Sequence, residues 1–233
     1  MTPRTESLRS IRLFRGLTDA EILRLDSRCL WRRCEAKQEV LGHGDSGTDV
    51  FFVVSGLVRA VIRPNGHREV ILGDIGAGEF FGELAAIDGL PRSASIVAVT
   101  GATLARMPAA VFREVLREHA DVSGRLLALL AARIRLLDTR VGEFATLDVK
   151  RRVFSELLRL SRPDGAASGR AVVSPPPYHA EIAARISARR EAVTRELRAL
   201  EGAGLLEKRR GALVLTDVGA LLALMQEPRD SIA

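Results

Sequence analysis

Cysteine is scarce in this chain, since only Cys29 and Cys34 occur among its 233 residues. Two cysteines are too few for a disulfide framework or for an iron–sulfur cluster held by cysteine alone. No metal-ligand spacing links them to the four histidines, which are His43, His67, His119 and His179. We therefore expect no metal, haem or iron–sulfur cluster, and a reducing, cytoplasmic compartment.

Long hydrophobic runs are missing as well. No apolar segment approaches the roughly 20 residues that a membrane-spanning helix needs, and the N-terminus lacks the apolar core of a signal peptide. Hydrophobic residues make up 47% of the chain and charged residues 27%, which is typical of a globular protein. The net charge of +6 favours a polyanionic partner, although charge alone does not distinguish nucleic acid from an anionic membrane.

The stretch 82–94 combines groups that suit a small ligand. Gly82 opens it, the acid Glu83 follows at once, and Arg92 with the hydroxyl of Ser93 closes it. Free N–H groups at the start of a short helix, together with a guanidinium, are able to hold a phosphate. A carboxylate beside them accepts hydrogen bonds from a sugar hydroxyl. The pattern therefore predicts a ligand that has both a sugar and a phosphate.

A β-rich region surrounds this stretch, from residue 31 to residue 108. Eleven of the 20 glycines lie between positions 42 and 101, at a spacing typical of a compact antiparallel sandwich or barrel. Before it, residues 8–30 predict one or two short helices with a capping box at Thr18–Glu21. The predicted strands are Val50–Val54, Leu57–Ile62, Val70–Leu72, Ile96–Val99 and Thr103–Met107, and the turns between strands include Gly42–Asp45, Pro64–Gly66 and Gly76–Gly78.

A short helix over Ala109–Glu118 and a long one from about Asp121 to Phe144 are predicted next. Apolar residues recur along the long helix at alternating spacings of three and four, the pattern of a two-stranded coiled coil. The charged residues keep off this seam, which favours a two-fold dimer. The alternative is that the seam packs on the protein's own sheet. The seam consists of Leu127, Leu130, Ile134, Leu137, Val141 and Phe144.

The C-terminal third indicates a helix-turn-helix. Asp148 is placed to cap a helix over Val149–Leu160, which leaves Ala145–Leu147 as a predicted hinge. A loop over 162–169 follows. Two further helices with a tight turn at Ser187–Ala188 between them have the spacing of a helix-turn-helix, and they span Tyr178–Ile186 and Arg189–Glu201.

A hairpin after these helices makes the module a winged helix-turn-helix. Its predicted strands are Leu205–Glu207 and Ala212–Leu215, with a basic tip at Lys208–Gly211. Thr216 is then expected to cap a final helix that ends at about Met225.

The second helix of this module has one polar face, on which Arg190, Glu191 and Arg195 fall within an arc of about 140°. Such a face enters a major groove, where arginine pairs with guanine and glutamate accepts from the cytosine amine. The alternative is an ordinary solvated face. Thr194 and Arg198 share the polar face, and phosphate contacts are assigned to Arg189, Lys208, Arg209 and Arg210.

In this order, the three parts resemble the cyclic-AMP receptor/FNR superfamily of bacterial transcription regulators. The motifs that carry the resemblance are 78–85 with 91–94, Val141–Gly142 with Leu147–Val149, and Arg190–Glu191 with Arg195. It implies an α+β fold with a cyclic-nucleotide-binding antiparallel β jelly roll, a long dimerisation helix and a C-terminal winged helix-turn-helix. The implied boundaries are 1–117 for the sensor, 118–146 for the dimerisation helix and hinge, and 147–233 for DNA binding.

The resemblance also implies a cyclic nucleotide as effector, cAMP in the first place and cGMP as the alternative. Glu83 would bind the ribose 2′-hydroxyl and Arg92 the cyclic phosphate, with Ser93 completing the cradle. The competing interpretation is a vestigial site in which Glu83 pairs with Arg92. The other implied ligand residues are Gly82, Leu84, Ala85, Ala94, Arg133, Leu137 and Asp138.

The base end of the implied site departs from the family's pattern. A threonine and a serine contact adenine in the cyclic-AMP receptor, and their positions are Leu137 and Asp138 here. Leu137 has no hydrogen-bonding group. Asp138 is able to accept from the adenine amine or from the two adjacent donors of guanine, or to pair with Arg135 or with an arginine of a partner chain.

The function implied is a homodimeric transcription regulator that binds double-stranded DNA at an inverted repeat of TGTGA-like half-sites and works with RNA polymerase. A ligand-independent or otherwise-sensing member of the superfamily is one alternative, and a cyclic-nucleotide-binding regulatory subunit is another. Because no nucleophile–base pair or metal cluster is visible, we predict that the chain is not an enzyme.

Overall fold

The computed structural model describes residues 6–64, 69–165 and 169–226. Asn65 and Gly66 of a predicted turn, His67, and residues 166–168 of a predicted loop lie outside these ranges. The chain forms two compact units, one up to Arg135 and the other from Leu136. Among the described residues, no helix combines the length and apolarity that crossing a membrane requires.

The first unit begins with two short 3₁₀ turns, Leu8–Ser10 and Arg12–Phe14, and helix α1, Asp19–Ser27. The predicted capping box is confirmed. The Glu21 amide donates to the Thr18 hydroxyl at 3.3 Å, and the Thr18 amide donates to the Glu21 carboxylate at 2.6 Å.

The described residues that follow form eight strands in two four-stranded antiparallel sheets, with the orders β1-β8-β3-β6 and β2-β7-β4-β5. All five predicted strands are present. β1, β2 and β6 were not predicted, because they are short and mostly lack a run of apolar residues. The strands are β1 Leu30–Cys34, β2 Glu39–Leu41, β3 Val50–Ser55, β4 Leu57–Ile62, β5 Val70–Gly76, β6 Phe80–Phe81, β7 Ser95–Ala98 and β8 Ala102–Met107.

Strand β3 is buried on both faces, which explains its unbroken apolar sequence. Val50 and Phe52 lie in one apolar cluster, with Leu13 and Phe112. Alternate residues of the same strand, including Val53, lie in a second cluster on the other face. The sheets thus form a closed core, with helix α2, Glu83–Asp88, inserted between β6 and β7.

Helices α3 and α4 follow the sheets and span Ala109–Glu118 and Ala120–Thr146. The predicted short helix is confirmed, and the long one extends a little beyond its predicted ends. At its N-terminal end α4 buries Val122 and Leu126 in the first apolar cluster, and Leu130 packs against the same cluster.

The second unit contains the winged helix-turn-helix. Helices α5, Val149–Leu160, α6, His179–Arg185, α7, Arg190–Gly202, and α8, Val218–Gln226, pack around a sheet with the order β11-β12-β10-β9. Val153, Ile182 and Leu197 are fully buried in its core. Two of its strands, β9 and β10, were not predicted. The strands are β9 Arg162–Pro163, β10 Ala171–Val173, β11 Leu206–Arg209 and β12 Ala212–Leu215.

Three predicted details of this unit were wrong. Lys208 and Arg209 belong to β11, so the hairpin turn is only Arg210–Gly211. The Thr216 hydroxyl donates to the Gly204 carbonyl at 2.6 Å, and it is Asp217 that accepts from the Ala220 amide at the start of α8.

The third wrong detail of the second unit is the predicted hinge at Ala145–Leu147. Helix α4 continues to Thr146, so the break before α5 is confined to Leu147 and Asp148. The predicted cap at Asp148 is confirmed, because its carboxylate accepts from the Arg151 amide at 2.9 Å.

Candidate ligand site and nucleic-acid interface

The N-terminal end of α2 is built around Gly82, whose φ of +84° is left-handed. A Cβ at this position would lie 2.7 Å from Arg92 Nη1 and 2.9 Å from the Asp49 carbonyl oxygen, so only glycine fits. The close approach places the backbone of α2 against the Arg92 guanidinium. Glu83, the next residue, is only 3% exposed.

Arg92 is buried at 4% exposure. It donates from Nη1 to the Gly82 carbonyl at 2.9 Å and from Nη2 to the Asp49 carbonyl at 2.7 Å, and it lies 5.9 Å from the centre of the Phe51 ring. Its Nε is buried without a hydrogen-bond partner among the described residues. Burial lowers the pKa of this guanidinium, which nearby Asp49 and Asp45 partly oppose. A buried cation with an unsatisfied donor fits an anionic ligand.

Glu83 pairs with Arg133 of helix α4. Arg133 Nη1 lies 2.5 Å from Glu83 Oε1, Nη2 donates to the Phe80 carbonyl at 3.2 Å, and the guanidinium stands over the Phe80 ring. Burial raises the pKa of the Glu83 carboxyl, and the charges of Arg133 and Arg92 partly counteract this. No hydrogen bond or ion pair joins Glu83 to Arg92 within the described part of the chain.

The remaining candidate ligand residues differ in their surroundings. Ala85 is buried and Ala94 is half-buried, whereas Leu84 and Ser93 are exposed. The structure therefore brings Gly82, Glu83, Arg92 and Arg133 together. Leu137 and Asp138 are exposed residues of α4 that belong to the second unit.

The turn between α6 and α7 has the geometry of a helix-turn-helix. Ser187 adopts the left-handed conformation that glycine usually provides, with a φ of +50°. The Ala188 amide donates to the Ala183 carbonyl at 3.0 Å and closes the turn. Arg189 precedes α7 as its exposed N-cap residue, and Gly202 is its last helical residue.

Helix α7 presents the predicted polar face to the surface. Its apolar side is buried through Val193, Leu197 and Leu200. Arg195 is exposed, with Nε donating to Glu196 at 3.0 Å. One surface concavity is lined by all five residues predicted for this face, Arg190, Glu191, Thr194, Arg195 and Arg198.

A second concavity shares Arg190 with the first and is lined by residues at the start of α6, on α7 and in the hairpin. Tyr178 and His179 are among its lining residues, and neither was predicted as a site residue. Tyr178 is 78% exposed at the N-cap of α6, and His179 Nδ1 lies 2.8 Å from the Thr194 hydroxyl. Burial, followed by the charges of Lys208 and Arg190, lowers the pKa of His179. The signal in the sequence was an isolated tyrosine directly after three prolines.

The basic residues of the hairpin have acidic neighbours. Lys208 forms an ion pair with Glu201, and Arg209 Nε lies 3.0 Å from Glu207. Arg210 is exposed in the turn. Phosphate binding by Lys208 and Arg209 would have to compete with these pairs, which lowers the expected gain from each contact.

Two family models match the chain, in the same order as the two sites. A cyclic nucleotide-binding domain matches residues 31–119, and a Crp-like helix-turn-helix domain matches residues 151–224. Within the described residues, no group of three or more histidine, cysteine, aspartate or glutamate side chains is placed to hold a metal ion.

Curated proteins and solved structures agree with these matches. The cAMP-activated global transcriptional regulator Vfr of Pseudomonas aeruginosa is 31% identical over 82% of this chain and 92% of its own length. The cAMP-activated global transcriptional regulator CRP of Escherichia coli O6:H1 is 29% identical over 77% and 86%.

A similar solved structure is that of the c-di-GMP responsive global regulator CLP of Xanthomonas campestris. It superposes with a TM-score of 0.70 and 26% identity over 85% of this chain and 99% of the other. The chain belongs to the CRP/FNR family of transcription regulators, with a cyclic nucleotide-binding domain followed by a Crp-like winged helix-turn-helix.

Proposed function

We propose that the chain is a homodimeric, sequence-specific DNA-binding regulator whose affinity for DNA is controlled by a cyclic nucleotide, cAMP in the first place. The observation that carries ligand control is the buried guanidinium of Arg92, whose Nε has no partner among the described residues. A cyclic phosphate would satisfy this donor. The names of the two curated relatives support cAMP as the nucleotide.

The other residues of the site have complementary roles in this proposal. Glu83 accepts a hydrogen bond from the ribose 2′-hydroxyl. Its ion pair with Arg133 orients the carboxylate and partly opposes the effect of burial on its pKa. Ser93 and backbone N–H groups of Gly82, Leu84, Ala85 and Ala94 complete the phosphate cradle. Arg92 and Glu83 thus recognise the part that all cyclic nucleotides share.

The identity of the base rests on α4. Leu137 offers no hydrogen-bonding group, whereas Asp138 is an exposed acid beside it. An acid suits the adjacent N1 and N2 donors of guanine, which favours cGMP as the second candidate. Since the solved relative CLP is described as responding to c-di-GMP, all three nucleotides belong in the test.

Homodimerisation is proposed through α4. Five of the six predicted seam residues are at least 40% exposed in the single chain. They are Leu127, Ile134, Leu137, Val141 and Phe144. Leu130 instead packs against the core of the first unit. An exposed apolar stripe along a helix is stable in water only when it is covered, and a second copy of the helix covers it with the same spacing.

DNA recognition is proposed through two copies of α7 in successive major grooves. Arg190, Glu191 and Arg195 contact base edges of a TGTGA-like half-site, and Thr194 and Arg198 lie at its border. RNA polymerase is the proposed protein partner. Phosphate contacts are assigned to Arg189, Lys208, Arg209 and Arg210.

The domain boundaries remain as proposed, at 1–117, 118–146 and 147–233. The two compact units meet between Arg135 and Leu136, inside α4. A single helix that contributes to both units suits a dimerisation element that belongs functionally to neither.

A calorimetric titration tests ligand control directly. Purified protein is titrated with cAMP, cGMP and c-di-GMP, with and without a duplex that carries the inverted repeat. We expect heat with cAMP and tighter binding when the duplex is present, because coupling between two ligands is reciprocal. Tight, sequence-specific DNA binding without heat from any nucleotide would instead support the ligand-independent alternative.

A further inference from the structure

A buried ionic cluster in the second unit has no part in the functions described so far. Its centre is Glu156 of α5, which is 1% exposed. Arg159 forms a short ion pair with Glu156 Oε2, and Arg140 Nη2 lies 3.5 Å from the same oxygen. Arg185 Nη1 lies 3.8 Å from Oε1.

The cluster is not arranged for maximal stability. Three guanidinium groups surround the Glu156 carboxylate, two of them at long range, and Arg159 is shared with Glu143 of α4. Glu156 Oε1 accepts no hydrogen bond from any described residue. Taking such charges out of water is costly, and the cost is recovered only with excellent geometry. Buried ionic groups of this kind are retained in some proteins because they select one arrangement of the chain.

Two arginines of this region also hold the end of α6. Arg140 Nη2 donates to the Arg185 carbonyl at 2.7 Å, and Arg152 Nη1 donates to the Ile186 carbonyl at 2.8 Å. The last carbonyls of a helix have no partner within the helix, and basic side chains are able to supply one. Here the donors come from α4 and α5.

The residue after these carbonyls is Ser187, whose positive φ of +50° is unfavourable for a side chain. The turn therefore has a conformation that its own sequence does not favour. The bond from the Ala188 amide to the Ala183 carbonyl closes the turn from within, and the two arginine donors hold it from outside at its entry. The direction in which α7 leaves the turn depends on the same backbone.

We propose that Arg140 is a positioning residue for DNA recognition, which fastens the C-terminal end of α4 to the turn that orients α7. The inference rests on the proposed function, in which α4 mediates dimerisation and α7 enters the major groove. An inverted repeat requires two recognition helices at a fixed separation. Binding to unrelated DNA depends mainly on phosphate contacts and needs less accurate placement.

The variant Arg140→Met in the full chain removes the contacts of this side chain with Glu156 and with the Arg185 carbonyl. Arg159 and Arg185 still face Glu156, so no uncompensated carboxylate is left buried and the fold should persist. Arg125→Met is the matched control, because Arg125 also lies on α4 and its Nε donates to the Leu13 carbonyl at 2.9 Å in the first unit.

Three quantities are measured for each protein. They are the affinity for the inverted-repeat duplex that the wild type selects from a random pool, the affinity for an unrelated duplex of equal length, and the preference for half-site spacing. We expect Arg140→Met to lower the ratio of the two affinities about tenfold and to flatten the spacing preference, with binding to unrelated DNA unchanged. Arg125→Met should leave the ratio and the spacing preference as in the wild type.

An unchanged ratio in Arg140→Met, or an equal loss on both duplexes, would overturn the proposal. Should that variant fail to fold, Arg140→Lys gives the same information, because lysine keeps the charge but replaces the planar fork by a single ammonium. If Arg140→Lys lowers the ratio of the two affinities by less than the expected tenfold but measurably, the proposal is supported. If the ratio equals that of the wild type, the proposal is overturned. A wild-type protein that prefers no inverted repeat would overturn the proposed function itself, and that result is visible without any variant.

Discussion

At the scale of single residues, Arg92 combines burial, charge and an unmatched donor. Replacing it by glutamine keeps a hydrogen-bond donor for one of the carbonyls at Gly82 and Asp49 but removes the charge. A charge-assisted hydrogen bond is worth about 1.5–3 kcal/mol, so we expect Arg92→Gln to weaken nucleotide binding roughly 10- to 100-fold in calorimetry.

The matched control for this substitution is Arg106→Gln. Arg106 pairs with the Asp49 side chain at 2.5 Å, and its own side chain is 51% exposed. Arg106 therefore contacts Asp49, as Arg92 does, but it is not buried. Nucleotide affinity should remain within about twofold of the wild type. Equal losses in both variants would show that Asp49, and not Arg92, is what the ligand needs.

Glu83 predicts a pH dependence of stability. Burial raises its pKa in the folded protein above the value in the unfolded chain, so folding favours the protonated carboxyl. This contribution to stability is complete below the unfolded pKa and is lost as the pH rises through the folded pKa. Glu83→Gln, which cannot ionise, should therefore gain stability relative to the wild type as the pH rises through this window.

Thermal unfolding between about pH 4 and pH 7 measures this difference, since an unperturbed glutamate titrates near the lower end. Asp88→Asn is the control, because Asp88 lies at the other end of α2 and is exposed. A difference between wild type and Glu83→Gln that does not change with pH would contradict the assignment.

Ser187 provides a third prediction at this scale. Its φ of +50° is unfavourable for any side chain but not for glycine. Ser187→Gly should raise the free energy of unfolding by about 0.5–1 kcal/mol in urea titrations. Glycine removes the penalty of the left-handed conformation, and this gain is larger than the loss that comes from the greater entropy of the unfolded chain. Ser161→Gly is the control, because Ser161 has a φ of −83°, and it should give no gain.

At the scale of secondary-structure elements, helix α7 and strand β11 predict two distinguishable kinds of DNA contact. Arg195→Ala should cost about 1–3 kcal/mol and relax the preference at one base pair, because a base-edge contact carries sequence information. Lys208→Ala should weaken binding to all sequences alike. It should also reduce the slope of log affinity against log salt concentration by about one. Binding to a set of single-base-pair variants at two salt concentrations separates them, and uniform weakening by Arg195→Ala would assign Arg195 to a phosphate.

Most elements were predictable because their sequence patterns are local. The helical spacing of apolar residues and the Asp148 cap determine α5 without distant contacts. The apolar run of β3 does the same for that strand. β6 has only two residues, so no pattern can show it. The cap of α8 was assigned to Thr216 because threonine and aspartate are both good caps, and only the contact with Gly204 separates them.

The candidate site was predictable to the extent that it follows one short stretch of sequence. Glu83 and Arg92 lie in one stretch with a recognisable spacing, and Arg133 came from the family resemblance. Which residue pairs with Glu83, and which Arg92 atom stays unsatisfied, depend on three-dimensional packing. The same holds for Arg140 and Arg185, which look like ordinary surface arginines until α4, α5 and α6 pack together.

At the scale of the whole molecule, coupling between nucleotide and DNA requires that each favour the same state of the dimer. The proposed nucleotide contacts of Glu83 and Arg92 lie in the first unit, and the proposed DNA contacts of α7 lie in the second. Helix α4 belongs to both units. In the proposed function, dimerisation through α4 is therefore the step on which control of DNA binding depends.

Val141→Glu tests this step, because it places a charge in the exposed apolar stripe of α4, where Val141 is 66% exposed. We expect a monomer in analytical ultracentrifugation, since two glutamates facing each other in the seam would be desolvated and repel. Affinity for a single half-site should persist. Affinity for the inverted repeat should fall by about 10²–10⁴, the gain that linking two binding modules provides.

Leu129→Glu is the matched control, because Leu129 is an exposed leucine of the same helix that lies off the predicted seam. It should remain a dimer with full affinity for the inverted repeat. If both variants are monomers, the interface is broader than a two-helix seam. If Val141→Glu stays dimeric, the seam is covered in another way, and the separation of the two recognition helices must be set by contacts outside α4.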